Sequence, residues 1–299
     1  MTIATIQTNI FQSNPLQLIK YAIFKSIVLS SVISTGILTS TASTNAQPPL
    51  QLRIKRFISI SNLAGTVQYR TGNSTTTAQV GQRLTEVGDA VITGKQSSVT
   101  LAIDEGIGTI QVSEKTELSI ERLYKDRAGY VTQLKINGGQ VRFKIRPFNN
   151  PNSKIEIITP AGVAGVRGTE FGMNVLPSGK TGLATLNGMV TLEAQSVIAK
   201  VGRGLQSTVG MNEPPSSPSR LINDPSVRLY VIAARDGGRS VQLVGQTDSV
   251  NLLLIGETTL ETDRTGNFNV TVPLPNDRRL SLLSTTPLGR KQSYIVQVP

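Results

Sequence analysis

Apolar and polar residues alternate with a period of two along most of the chain after Pro48 and Pro49, as in half-buried β-strands. Turns that contain Gly or Asn separate the alternating stretches, and an Asn-Gly pair between apolar residues favours a tight hairpin. We find no amphipathic helix between Gln47 and Met211. Because the strands are short and turn often, the pattern predicts an all-β sandwich, barrel or roll. The clearest alternating apolar sets are Val99, Leu101 and Ile103; Ile110 and Val112; Leu118 and Ile120; Val141, Phe143 and Ile145; and Ile155 and Ile157.

A second block of alternation follows a segment rich in Pro and Ser. Residues 212–226 have the composition of a semi-extended linker. From Val227 the period of two resumes, and turns at 237–238 and 263–267 suit a small sandwich. The stretch from Val244 to Phe268 resembles bacterial Ig-like domains of surface proteins. That resemblance implies a spacer or adhesive module without chemistry of its own.

The N-terminal segment has the order of a secretory signal peptide. No charged side chain occurs in residues 1–19, and Lys20 and Lys25 then precede an apolar run from Ser26 to Leu38. Small residues follow, so we expect cleavage after Ala46. The alternatives are an uncleaved membrane anchor and a cytosolic helix, but the apolar run is short for the ~20 residues of a spanning helix. The predicted division is therefore a signal peptide at 1–46, a β domain at 47–211, a linker at 212–226 and a second β domain at 227–299.

Composition argues against an enzyme. The chain has no His and no Cys, so it lacks a thiolate nucleophile, a Ser-His pair and the usual soft metal ligands. We therefore predict a protein that is not an enzyme and has no metal and no cofactor. The formal charge of +11 comes from 30 basic and 19 acidic residues and would suit an anionic partner. The basic residues are scattered, however, and aromatic residues are few, so we predict no nucleic-acid partner.

Six motifs in the first β domain resemble one known family in their order and spacing. They are Gly88–Gly94, Ser97–Gly106, Leu134–Val141, Thr159–Pro160, Val166–Phe171 and Leu186–Leu192. Together they are similar to a FecR domain, with a core match over residues 88–192. The resemblance implies a FecR-like β-roll or sandwich of short strands and hairpins, here followed by the small Ig-like sandwich.

The FecR resemblance also implies a function and a location. It implies a periplasmic sensing or interaction module, which in the best-known members relays a signal from an outer-membrane siderophore receptor to an extracytoplasmic sigma factor. Those regulators carry a cytoplasmic anti-sigma segment and a membrane helix ahead of the β domain. Only about twenty residues precede Lys20 here, too few for a folded domain. We therefore expect the module without direct control of a sigma factor.

Ten residues of these motifs are predicted to mark the fold and not a catalytic centre. Within the Gly-rich stretch 158–172, Pro160 would begin a strand or lie at an edge, because it has no backbone donor. We expect Arg167 and Thr169 to form hydrogen bonds across the roll, so that Arg167→Ala would lower stability. The ten residues are Gly88, Asp89, Gly94, Gly139, Thr159, Pro160, Arg167, Gly168, Thr169 and Gly188.

Other polar groups could form sites, but turn geometry explains each of them better. Asp89 with Asp104 and Glu105 could act as general acid and base, yet Asp in a turn commonly caps its own backbone. Asp263, Asn267 and Asn269 lack the acid count of a calcium loop. Gly202-Arg203-Gly204 has no following P-loop Lys, and Ser153-Lys154 has no third supporting group. Two weak glycosylation sequons begin at Asn73 and Asn269.

Three functions are compatible with these features. The first is an exported FecR-like module that senses or binds an envelope protein or glycan through loops or sheet edges. The second is a cell-surface adhesion or structural protein whose β domains act as spacers. The third, a minor alternative, is an enzyme that acts on envelope polymer. A membrane contact is expected only through an uncleaved signal segment.

The predicted export can be tested at the N-terminus of the purified protein. If the signal peptide is removed after Ala46, mass spectrometry should find Gln47 or a near neighbour as the first residue. Recovery of intact Met1 from the envelope fraction would contradict cleavage.

Overall fold

The computed structural model describes residues 55–104, 106–125 and 129–298, so the predicted signal peptide lies outside the described residues. These residues belong to one compact unit, Leu52–Pro299. They form β-strands and a single turn of 3-10 helix, and the all-β prediction is confirmed. Within the described ranges, no helix is long and apolar enough to span a membrane.

Eighteen strands form the first sandwich. They are β1 (Ile58–Ala64), β2 (Val67–Thr71), β3 (Ser74–Thr77), β4 (Arg83–Leu84), β5 (Ala90–Thr93), β6 (Ser98–Ile103), β7 (Gly108–Val112), β8 (Glu117–Lys125), β9 (Tyr130–Ile136), β10 (Gly139–Ile145), β11 (Lys154–Ile158), β12 (Val163–Val166), β13 (Glu170–Val175), β14 (Thr181–Asn187), β15 (Met189–Ala194), β16 (Val197–Gly202), β17 (Leu205–Val209) and β18 (Ser219–Arg220).

These strands divide into two sheets of nine. Sheet A has the order β18-β17-β14-β13-β10-β7-β6-β1-β4, and sheet B has the order β16-β15-β12-β11-β9-β8-β5-β2-β3. Neighbours are antiparallel except β9 and β11, which run parallel. The chain repeatedly crosses from one sheet to the other, so the core contains inward residues from strands distant in sequence.

The alternating apolar residues of the sequence point into this core. Phe143 on β10 is directly opposite Phe171 on β13. Their rings stack with centroids 4.8 Å apart and an interplanar angle of 9°. Both side chains are buried, together with Leu101, Ile110 and Leu134. Each such burial is worth roughly 1.5–3 kcal/mol relative to exposure, so the register of β10 and β13 is strongly specified.

The remaining seven strands form a second, smaller sandwich. They are β19 (Val227–Arg235), β20 (Ser240–Thr247), β21 (Leu252–Ile255), β22 (Thr258–Leu260), β23 (Asn267–Pro273), β24 (Arg279–Thr285) and β25 (Lys291–Gln297). One sheet has the order β19-β20-β23 and the other β22-β21-β24-β25. The 3-10 turn Asp236–Gly238 joins β19 to β20. Val241, Leu243, Leu253, Phe268 and Leu282 are among the residues of its separate core.

The second sandwich lies on the outer face of sheet A, where glycines allow the two backbones to approach closely. A Cβ on Gly172 would lie 1.9 Å from the carbonyl oxygen of Pro287. A Cβ on Gly182 would lie 2.7 Å from Cα of Val250. Because real Cβ atoms do not approach so closely, this packing requires glycine at both positions.

Polar side chains around these glycines bond directly to the backbone of the second sandwich. Asn174 Nδ2 donates to the carbonyl oxygens of Val250 and Thr285, both at 2.9 Å. Gln140 Nε2 donates to the carbonyl oxygen of Pro287 at 2.8 Å. These amides are buried, so their hydrogen bonds offset the cost of removing them from water.

The segment 212–226, predicted as a linker, follows the edge of sheet A. Its strand β18 pairs with β17, with Arg220 opposite Leu205. Ser207 Oγ donates to the carbonyl oxygen of Ser216 at 2.8 Å. The Ig-like identity of the second sandwich and the division at residues 211 and 227 stay predictions.

Lys180 is a buried cation at the contact between the sandwiches. Its side chain reaches the loop after β22, where Nζ donates to Thr262 Oγ1 at 2.8 Å and to the Thr262 carbonyl oxygen at 3.2 Å. It also donates to the carbonyl oxygen of Asp263. Burial lowers the pKa of Lys180 to about 8, although the carboxylates of Asp263, Glu261 and Asp248 oppose that shift.

The free energy of unfolding should therefore rise with pH above about 8. Between the folded pKa of Lys180, about 8, and its unfolded value, 10.5, the unfolded chain binds a proton that the folded protein has released. Folding is then favoured as pH rises, by about 1–2 kcal/mol between pH ~8 and ~9.5. Urea unfolding of wild type and Lys180→Met over this range measures the difference. An equal pH dependence in the two proteins would contradict the assignment.

Candidate binding site at one end of the first sandwich

Strand register brings several turns to one end of the first sandwich. In sheet A, Lys144 of β10 is opposite Glu170 of β13, and Glu170 is opposite Asn187 of β14. In sheet B, Met189 of β15 is opposite Gly202 of β16. Four turns consequently lie together: the turn that follows β10, the turn that precedes β13, the turn that joins β14 to β15, and the turn that follows β16.

Glycines allow these turns to pack against one another. Gly168 has a φ of +102°, and a Cβ there would lie 2.4 Å from Cα of Pro147. A Cβ on Gly188, with φ +82°, would lie 2.7 Å from the carbonyl oxygen of Gly168. Thr169 is buried, and its Oγ1 donates to the carbonyl oxygen of Met189 at 2.9 Å. The structure thus brings Gly168, Thr169 and Gly188 into one joint, and the expected hydrogen bond of Thr169 is present.

The expectation for Arg167 was wrong. Its side chain is exposed, and it forms no hydrogen bond or ion pair with any residue in the described ranges. The reason is the alternation of β12: Val166 points into the core, so the next residue points away from it.

Arg167 has similar neighbours in the adjoining turns. Arg146 follows β10, and Arg203 lies between β16 and β17; both side chains are exposed. Among the described residues, none of the three forms an ion pair with Asp or Glu. We call Arg146, Arg167 and Arg203 the arginine row.

A cleft opens at the same end, beside Arg146. Its volume is about 350 Å³, and its apolar walls are Phe57, Ile107, Tyr130 and Phe148. The backbone N–H of Arg146 donates to the carbonyl oxygen of Ile107 at 2.9 Å, which joins the cleft to the arginine row. We call this cavity the end cleft.

A buried ion pair forms one side of the end cleft. Arg56 donates to Asp104 Oδ2 from Nε at 2.8 Å and from Nη2 at 2.6 Å. Its Nη1 donates to the carbonyl oxygens of Val131 at 2.7 Å and Tyr124 at 3.2 Å. Asp104 Oδ1 accepts from the backbone N–H of Phe57 at 3.0 Å. The guanidinium and the carboxylate thus satisfy each other, so burial leaves neither charge uncompensated.

Cations also cover two of the aromatic rings. Arg56 Cζ lies 5.1 Å and Lys125 Nζ 4.9 Å from the centroid of the Tyr130 ring. Arg83 Cζ lies 4.1 Å from the centroid of Phe57. Lys125 and Arg83 are exposed, and no described carboxylate forms an ion pair with either. They add positive charge to the rim of the cleft.

The carboxylates considered for acid–base chemistry are held apart by separate hydrogen bonds. Asp89 is buried, and its Oδ2 accepts from the backbone N–H groups of Thr85 at 2.8 Å and Glu86 at 3.0 Å. Asp104 is bound to Arg56, and Glu105 lies outside the described residues. Asp89 therefore caps its own turn. In the same turn, Gly88 has a φ of +90°.

The other residues of the predicted signature lie in turns at the opposite end. The backbone N–H of Gly94 donates to the carbonyl oxygen of Thr66 at 2.9 Å. Gly139 has a φ of +96°, and a Cβ there would lie 2.0 Å from Thr116 Oγ1. Thr159 Oγ1, next to Pro160, accepts from Thr181 Oγ1 at 3.0 Å. The signature is thus divided between the two ends of the sandwich.

The remaining candidates also have structural partners. Although partial burial opposes it, hydrogen bonds from Thr265 and Asn267 lower the pKa of Asp263 to about 2 within its turn. Asn269 accepts from Gln242 Nε2 at 2.8 Å on neighbouring strands. Ser153 Oγ accepts from the backbone N–H of Tyr130 at 3.1 Å, and Lys154 pairs with Glu156 at 2.8 Å. Across the ranges that the structure describes, no group of His, Cys, Asp and Glu could hold a metal ion.

Comparison with a family model identifies the central part of the first sandwich. The model of the FecR protein family matches residues 89–191. This chain carries a FecR domain. The match confirms the resemblance seen in the motifs, and the turn with Gly168, Thr169 and Gly188 lies within the matched residues.

Solved structures show a more distant likeness. Two crystal structures of a candidate anti-sigma factor from Parabacteroides distasonis align with a TM-score of 0.37 and 10% sequence identity. The alignment covers 44% of this chain and 59% of that protein. No curated protein sequence matches the chain.

Sequence reasoning did not predict the end cleft. The basic residues of the sequence are scattered, and Lys55 to Phe57 precede the matched FecR residues. The aromatic walls come from three separate parts of the first sandwich, so no local motif shows them. The presence of a FecR domain supports a sensing or signalling role.

Effects of different size on stability are expected for two residues of the FecR signature. Thr169→Val should lower the free energy of unfolding by about 1–2 kcal/mol, because it removes the hydrogen bond from the buried Thr169 side chain to the carbonyl oxygen of Met189. Arg167→Ala should change it by less than about 0.5 kcal/mol, because the side chain is exposed and unpaired among the described residues. Urea denaturation measures both, and a cost for Arg167→Ala equal to that of Thr169→Val would contradict this placement.

Proposed function

We propose that the protein is an exported, non-catalytic sensing or interaction module that binds an envelope partner at the end cleft and the arginine row. The FecR domain supports the sensing role. The arginine row is the observation that carries the proposal. Three exposed guanidinium groups lie in adjoining turns and have no acidic partner among the described residues, so their combined positive charge is available to an anionic ligand.

Several other surface cations of the first sandwich pair with carboxylates. Lys55 pairs with Glu86, Arg70 pairs with Glu117, and Lys154 pairs with Glu156. Other exposed cations, such as Lys200, have no ion-pair partner among the described residues. What distinguishes the arginine row is that three such cations lie in adjoining turns.

The candidate carboxylates support a role without catalysis. A general acid or base needs a free position near a substrate atom, with a pKa near the working pH. Asp104 is bound to Arg56 and to a backbone N–H, and Asp89 caps a turn. Neither carboxylate is placed as one member of an acid–base pair.

The second sandwich suits the role of a support. Its strand order, β19-β20-β23 against β22-β21-β24-β25, is compatible with an Ig-like fold. It contacts the outer face of sheet A through Pro287 and Val250, and none of its described residues lines the end cleft. Binding at the end cleft would therefore leave the contact between the sandwiches intact.

The competing proposal is an adhesion or structural protein with β spacer domains. Close packing at Gly172 and Gly182 favours a stiff connection, as a spacer needs. That proposal requires no specific partner at the end cleft. Retention on cell-wall polysaccharide without dependence on the arginine row would favour it.

Affinity capture from envelope extracts tests the proposed function. The bait is the full chain, compared with the triple variant Arg146→Gln, Arg167→Gln, Arg203→Gln. The matched control changes three exposed arginines of the second sandwich: Arg235→Gln, Arg239→Gln and Arg279→Gln. We expect one envelope component to be retained by wild type and control and lost from the arginine-row variant. Equal retention by all three proteins would contradict the proposal.

A further inference from the structure

We propose that the end cleft and the arginine row recognise an acidic peptide segment of a partner protein that carries one large apolar side chain. This inference rests on the proposed function, because it names the chemistry of the partner at that same site. The apolar side chain would enter the end cleft, and the acidic residues on its flanks would pair with the cations around it.

The shape and lining of the cleft favour an apolar anchor. Phe57, Ile107, Tyr130 and Phe148 are each only partly buried, so part of their apolar surface faces the cavity. A volume of about 350 Å³ is within the range of small ligand pockets. Interfaces commonly gain most of their binding energy from one such anchor in a desolvated pocket.

The polar groups in the cleft favour a peptide over a sugar. Arg56 and Asp104 bond to each other, and Arg56 also bonds to two backbone carbonyls. Their hydrogen-bonding capacity is therefore largely used within the protein. A sugar would bring several hydroxyl groups that need partners, and burying them unpaired is unfavourable. An aliphatic or aromatic side chain has no such need.

The charges around the cleft favour acidic flanks. Two of the cations that line or adjoin it are already neutralised, Arg56 by Asp104 and Lys55 by Glu86. Lys125 lies over Tyr130 without an ion-pair partner among the described residues. A carboxylate could pair with it without displacing another carboxylate.

Arg146 and Arg167 extend this charge beyond the wall of the cleft at Ile107. Arg146 is bonded to the cleft wall through its backbone N–H and the carbonyl oxygen of Ile107. Pro147 packs against Gly168, which places the turn of Arg167 next to that of Arg146. An extended peptide anchored in the cleft could thus contact Lys125 on one flank and the arginines on the other. Such charges also attract an acidic partner over about a Debye length.

Fluorescence anisotropy with synthetic peptides tests the proposal on the full chain. The probe is a labelled peptide of alternating Glu and Gly with one central Phe. One matched peptide has Ala in place of Phe, and another has Lys in place of Glu. We expect the probe to bind, the Ala peptide to bind at least about tenfold more weakly, and the Lys peptide not to bind. Binding should weaken as salt rises from ~0.1 M to ~1 M.

Surface variants locate the binding site without threatening the fold. Lys125→Gln and Arg146→Gln should each weaken binding about two- to fivefold, as expected for one exposed ion pair. Lys200→Gln is the matched control, because Lys200 is exposed on β16 and does not line the cleft. Phe148→Ala should weaken binding of the Phe peptide more than that of the Ala peptide, with circular dichroism reporting whether the variant folds.

The outcomes separate this inference from the proposed function. Equal binding of the Phe and Ala peptides, or equal effects of Lys125→Gln and Lys200→Gln, would overturn the peptide site. Binding of an oligouronate at the row, with no binding of acidic peptides, would overturn it in favour of a glycan. If no peptide binds while envelope capture still depends on the arginine row, the inference fails and the proposed function stands. If capture is also independent of the row, both fail.

Discussion

Strand register is the constraint on which the other features of this molecule depend. The opposition of Phe143 and Phe171 fixes β10 against β13, and a slip of either strand by one residue would turn its ring away from the core. The same register directs Gly172 and Asn174 to the outer face of sheet A, where the second sandwich packs. It also aligns the strand ends, so that the turns of Arg146 and Arg167 lie side by side.

Two groups of cations in the first sandwich have different roles. Arg56 and Lys180 are buried and bonded, the first to Asp104 at the end cleft and the second to the loop of Thr262. Their hydrogen bonds hold parts of the structure together, but burial removes the charged groups from water. Because burial disfavours the charged form, the pKa of Lys180 is lowered to about 8. Arg146 and Arg167 are exposed and unpaired among the described residues, so their charge is directed outward.

The sequence correctly predicted a tight joint at Gly168 and Thr169, but it did not predict the exposed position of Arg167. Gly168 and Thr169 were expected in a tight joint and are found there; the positive φ of Gly168 is a local property, whereas Thr169 has its acceptor, Met189, on another strand. Arg167 was expected to bond across the roll, yet it faces solvent. A residue type in a motif does not show whether acceptors surround it, since those acceptors come from other strands.

Local pattern determined the all-β class and the FecR domain of this protein. Alternation with a period of two and glycine turns act between near neighbours, so the sequence alone carries them. Tertiary structure decided the rest, because the deciding contacts join distant residues. Arg56 meets Asp104 across 48 positions, and Asn174 meets Thr285 across 111. Only folding brings such groups within hydrogen-bond distance, and the end cleft and the packing of the second sandwich both depend on contacts of this kind.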